Sequence, residues 1–190
     1  MTDPRLICAF LLIFNLLVSK GQEFNDLEEC LTWIGKNIEK HTEVLIRSTY
    51  TSQKYEYRKE NIRFFNLTQI QGCNITLERY DFHKGNYAAK AVYRISLNEL
   101  DPYRLRIAIE KYSRNPCLVL LPKSRGNKFT VQKFGTEKDK KRYTSKKDQI
   151  IIEFNKESNK ENIPVKMKQA FCFAIKYCNS RPLILQNELK

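Results

Sequence analysis

Between Thr42 and Asn155 apolar and polar residues alternate in run after run, and this period of two sets most of what the chain can fold into. Cys73, Ile75 and Leu77 alternate with Asn74, Thr76 and Glu78. Tyr87, Ala89, Ala91, Tyr93, Ile95 and Leu97 alternate with Lys90, Arg94 and Ser96, and Leu105, Ile107 and Ile109 with Arg104, Arg106 and Glu110. Such runs make antiparallel strands with one face in the core and one in water. Turn-forming residues separate them at His83-Lys84-Gly85-Asn86, Leu100-Asp101-Pro102, Asn115-Pro116 and Ser124-Arg125-Gly126-Asn127. Further strands are predicted near 43–51, 55–66, 117–122, 127–134 and 149–154. About seven to eight short strands in sequence must curl or close to protect their edges. The expected fold is therefore α+β, a curled antiparallel sheet or partly open barrel flanked by helices.

The flanking helices carry their own signals. Asn25 or Asp26, followed by Glu28 or Glu29, reads as a capping box, and Leu27, Leu31, Ile34 and Ile38 then recur at helical spacing, so a first helix is predicted from about 26 to 40. Pro164 suits a first turn, and Met167, Ala170, Phe171, Ala174 and Cys178 form one apolar stripe, so a second helix is predicted to end near Asn179 and to cap the open end of the sheet.

Ahead of all this, Leu6 to Val18 is an almost unbroken apolar run behind Arg5, and Ser19 and Gly21 are small enough for a cleavage site before Gln22. At about thirteen residues the run is shorter than the ~20 a spanning helix needs. The expected organisation is a signal peptide over 1–21, one barrel-like domain over 22–180 and a frayed tail over 181–190, with secretion or periplasmic export after cleavage. The 169 residues that remain are enough for one domain that buries roughly 70% of its unfolded surface. Two glycosylation sequons, Asn66-Leu67-Thr68 and Asn74-Ile75-Thr76, apply only to a eukaryotic secretory route.

The chain carries 34 basic against 21 acidic residues. This excess favours anionic partners, although net charge by itself speaks to solubility and non-specific attraction. It is densest at Lys138, Lys140, Lys141, Arg142, Lys146 and Lys147, with Asp139 as the one acid among them, and 136–148 reads as a loop. These six residues are the candidate binding site, and the candidate partners are an anionic polymer, a lipid surface or another protein. The oligomeric state is left open.

Five cysteines follow the leader: Cys30, Cys73, Cys117, Cys172 and Cys178. An odd number leaves at least one unpaired or paired between chains, and the wide spacing fits neither a zinc ribbon nor a Cys-x-x-Cys pair. Cys172 and Cys178, six apart on a helix, stand ~240° apart around its axis and should not bridge. Buried, inert thiols are the expected state.

No constellation for catalysis stands out. His41 ends the first helix and His83 sits in a turn, where the helix dipole and turn geometry explain them. Asp81 with His83, and Asp26 with Glu28 and Glu29, read as surface pairs. Metal-binding spacings, nucleophile elbows and phosphate loops are missing, so the sequence calls for no cofactor and the expected function is a non-catalytic binding or structural module. The alternatives are a basic polyanion or membrane-surface binder acting through 138–147, and a small hydrolase or nuclease using His41 or His83.

The segment from Gly72-Cys73-Asn74-Ile75-Thr76-Leu77 through Ile95-Ser96-Leu97-Asn98-Glu99-Leu100-Asp101-Pro102 to Ala174-Ile175-Lys176-Tyr177-Cys178 resembles a group of small exported bacterial proteins of unknown function. The order of elements, a strand meander closed by one C-terminal helix, is similar to that of a pleckstrin-homology-like barrel. The resemblance implies that fold and export, and it brings no catalytic residues. Phosphoinositide-binding members of that fold carry a dense basic loop after the first strand. The stretch at that place, Ser52-Gln53-Lys54 with Arg58 and Lys59, is sparse in charge.

Overall fold

The computed structural model describes residues 23–51, 56–83, 86–111, 113–124, 126–135 and 142–180. The segment expected to be a signal peptide, the tail and Lys138, Lys140 and Lys141 lie outside the described residues. Helix α1 (Leu27–His41) starts at Asp26, whose Oδ1 accepts from Glu29 N at 2.8 Å, while Glu29 Oε2 accepts from Asn25 N at 2.9 Å. The expected capping box forms, its return arm reaching one residue further out than usual. Cys30, Leu31, Ile34 and Ile38 form the buried face of the helix.

Nine antiparallel strands follow among the described residues: β1 (Val44–Thr51), β2 (Glu56–Gln71), β3 (Asn74–His83), β4 (Asn86–Ser96), β5 (Arg106–Ile109), β6 (Pro116–Leu120), β7 (Phe129–Phe134), β8 (Arg142–Lys147) and β9 (Ile150–Glu153). They build two sheets, one ordered β1-β2-β3-β4-β7-β8 and one ordered β5-β6-β9, and neither closes. The fold is α+β with a helix at either end, as expected, but its strands divide between two sheets in place of the one curled sheet or partly open barrel expected. After β4 a 3-10 turn over Leu97–Glu99, held by Leu97 N donating to Cys73 O at 2.8 Å, swings the chain away. Strands β5 and β6 then pair with each other, β7 returns to β4, and β9 joins β6.

A second correction concerns 136–148. Arg142–Lys147 is no loop but an edge strand, paired with β7 from Phe129↔Lys147 to Phe134↔Arg142. Strand β8 escapes a periodicity reading because it holds a single aromatic and no aliphatic residue, so its two faces do not differ in polarity. Its lysines and arginine are the kind of residue that blunts an open sheet edge.

Gly72, with φ of 56°, makes the tight turn between β2 and β3, a conformation that glycine adopts without steric cost. Beside it Cys73 forms a disulfide with Cys178, with Cα atoms 5.8 Å apart, tying this turn to helix α2 (Ile163–Ser180). Cys172 does not join Cys178, as the helical geometry requires; its thiol lies 3.3 Å from Pro102 O. The predicted stripe of α2 is buried in full, and Phe171 belongs with Leu31, Phe65, Leu77, Leu118 and Phe154 to one core shared by both helices and both sheets.

His41 does not sit at an exposed helix end: it is 3% exposed, with Nε2 3.9 Å from Glu161 Oε2. Its burial, then the Lys40 charge, depress its pKa below the ordinary 6.5, and the Glu161 carboxylate offsets this only in part. A histidine held neutral by the fold leaves stability whole above 6.5 and erodes it as pH falls below that value toward the folded pKa. Thermal melts of wild type and His41→Gln should therefore diverge from neutral pH downward, the variant losing less. Parallel melting curves over that range would refute this.

Candidate functional site: a basic hairpin on an aromatic sheet face

Residues 128–148, which span β7, β8 and their connection, hold eight basic against three acidic residues, a net +5 out of the chain's +13. Along the sequence the positive charge is thus concentrated in this one segment. Of the six sequence-predicted residues, the structure describes Arg142, Lys146 and Lys147, all exposed on β8. Arg142 and Lys146 share the outer face of the large sheet, whereas Lys147 belongs to the opposite face. Lys146 Nζ donates to Thr130 Oγ1 at 2.8 Å, and the Arg142 guanidinium lies 5.3 Å from the centre of the Phe134 ring.

Strand register extends this edge into a row across five strands. Phe64 pairs with Tyr80, Tyr80 with Lys90, Lys90 with Phe134 and Phe134 with Arg142. Phe64 stacks on Tyr80 at 5.1 Å and 18°, and on Phe82 at 5.6 Å and 17°. Lys90 Nζ lies 5.2 Å from the Tyr80 ring centre and 2.8 Å from Glu78 Oε1, while Tyr80 OH donates to Glu78 Oε2. Burial works against the Glu78 carboxylate and the Lys90 ammonium alike, but their mutual contacts outweigh it, so the Glu78 pKa falls and that of Lys90 rises. Burial, then the Glu78 bond, raises the Tyr80 pKa.

These rings present little free face, since they stack on one another and lie under cations. A platform for intercalating bases needs open ring faces, so the row favours charge recognition over base stacking. No alternation signal points to the row, because its members are the outward residues of five separate strands.

The opposite face carries a polar cluster that the sequence pattern does not announce. Arg63 Nε donates to Asp81 Oδ1 at 2.7 Å and its Nη1 to Glu153 Oε2 at 3.1 Å, and Arg79 Nη2 lies 3.1 Å from Asp81 Oδ2. The cluster joins the large sheet to β9 of the small one. Asp81 is therefore part of an inter-sheet network and not a surface pair with His83, whose Nδ1 lies 3.1 Å from both Glu60 O and Asn61 Oδ1. Burial raises the pKa of Glu153; Arg63 pulls it back, and Glu110 adds to the rise. A cleft of about 370 Å³ opens nearby, lined by Glu43, Val44, Ser113, Asn115, Asn155 and Lys156. Ser113 Oγ reaches Glu153 Oε1 at 3.5 Å, so the cleft wall touches the network.

Buried thiols are poor nucleophiles, and burial pushes Cys30 up to about 12 and Cys117 to about 11. Among the described residues no three His, Cys, Asp or Glu side chains group so as to hold a metal, and no helix is long and apolar enough to cross a membrane. No protein family, curated protein or solved structure matches the chain.

Proposed function

We propose that the protein is an exported, non-catalytic binding module that holds an anionic polymer along the β7–β8 hairpin. The concentration of net charge on that one hairpin carries the reading. The exposed cations of β8 supply contacts at the spacing of an extended strand, which suits a linear polyanion better than a compact ligand. The ring faces of the adjoining row are occupied, which favours a sulfated polysaccharide over stacked single-stranded bases. Export is supported by the leader pattern of residues 1–21 and by the Cys73–Cys178 bond, since disulfides persist in oxidising compartments. A hydrolase built on His41 is disfavoured because its ring is buried.

Attraction of this kind releases counterions, so log affinity falls linearly with log salt. Replacing Lys140, Lys141, Arg142 and Lys146 by Gln should shorten heparin retention and lower the log–log slope by about one for each cation that engages the polymer. Thermal stability should stay within about 0.5 kcal/mol of wild type, because Arg142 and Lys146 are exposed and exposed charges contribute little to folding. Equal retention of variant and wild type would show that the hairpin is not the binding surface.

A further inference from the structure

Among the described residues, strand β5 is an open sheet edge of a different kind from β8: β6 is its one strand partner there, and it exposes Ile107 (38%) and Ile109 (59%). No charged residue interrupts it between Arg106 and Glu110. The hydrogen-bond phase of this edge can be read from its turn. Glu110 N donates to Asn115 O at 2.8 Å, and the register continues through Ala108↔Cys117 to Arg106↔Val119. In an antiparallel ladder bonded pairs recur every second residue, so Glu110, Ala108 and Arg106 turn their main-chain groups toward β6. Ile107 and Ile109 turn theirs outward. Pro116, which has no N–H, stands opposite Ile109 at a position where no bond to β6 is due.

We infer that β5 pairs antiparallel with β5 of a second copy of this chain about a two-fold axis at Ala108, fusing the two small sheets into one of six strands. In that register Ile107 and Ile109 of one copy face Ile109 and Ile107 of the other, and their outward N–H and C=O groups bond in pairs. Arg106 of each copy then stands directly opposite Glu110 of the other, giving two apolar and two opposite-charge cross-strand pairs. Arg106 has capacity for this, since it reaches Gln149 Oε1 only at 3.5 Å. A shift by one residue breaks the bonding phase. A shift by two puts Arg106 opposite Ala108, or Ile107 opposite Lys111, and loses the complementarity. The symmetric interface is isologous, as two-fold dimers require. It does not depend on the polyanion reading, since β5 belongs to the other sheet.

The test is the solution mass by sedimentation equilibrium over a concentration series. Wild type should pass from one chain to two as concentration rises. Ile109→Arg should remain at one chain with an unchanged thermal melt. Arg106→Glu and Glu110→Arg, which each set like charges opposite one another, should also remain single, and the double reversal Arg106→Glu with Glu110→Arg should restore the pair. A wild type that stays at one chain throughout, a dimer that survives Ile109→Arg, or a double reversal that stays single while folded would each overturn the proposal.

Discussion

Replacing Arg63 by Met should cost about 3 to 5 kcal/mol at neutral pH, because it strands charges that the fold has already taken out of water. Glu153 is 2% exposed, and its bond from Ser113 is too long to compensate the missing guanidinium. Asp81 keeps Arg79 and is the less affected of the two acids. Arg63 is also what holds the Glu153 pKa down against burial, so in the variant that pKa climbs further above its ordinary 4.5. A carboxyl whose folded pKa is raised destabilises the fold as pH rises through that value, and the penalty vanishes below the unfolded value. The deficit of Arg63→Met, measured by denaturant unfolding, should accordingly shrink as pH falls toward 4.5. Adding Glu153→Gln should recover part of it at neutral pH. A deficit independent of pH, unchanged by the second substitution, would mean that the network contributes only through packing.

Phe171→Ala should be comparably severe, at about 3 to 5 kcal/mol, the range for emptying an aromatic site in a core. Phe171 is fully buried, and it belongs to a core whose other members come from elements distant in sequence. Against a typical domain stability of 5 to 15 kcal/mol such a loss leaves a marginal protein. Unfolding midpoints of wild type and variant give the difference directly. A loss of under about 1 kcal/mol would show that α2 is dispensable, contrary to its place in the core.

Both effects arise from long-range contacts, and these divide what is legible in the chain from what is not. The strands from β1 to β7 and β9 are legible from their apolar residues, which alternate with polar ones in most and form short unbroken runs in the buried strands β6 and β9, and both helices because their apolar stripes and their starts are explicit. The partition of the strands into two sheets is not, since alternation gives a strand's faces and not its neighbours. Nor is the Cys73–Cys178 pairing, for which six-residue spacing rules out only one partner. The inter-sheet network does leave a trace. Arg63, Arg79 and Asp81 fall on the inward phase of their strands, in step with Phe65 and Leu77. Opposite charges on the dry face of adjacent strands mark a buried pair. Glu153, at the end of a run of isoleucines, carries the same signal. The candidate hairpin is visible through its charge, while the aromatic row that adjoins it depends on register across five strands.

The link between Cys73 and Cys178 spans 105 residues and ends in the last turn of α2. A chain that emerges N-terminus first therefore exposes Cys73 long before its partner exists. Through most of synthesis Cys73 is an unclaimed thiol in the company of Cys30 and Cys117, and a premature bond to either would have to be undone by exchange. The native clasp is thus a completion mark, formed only by a chain whose final helix has arrived and docked. An oxidising compartment would then sort finished molecules from truncated ones by chemistry alone.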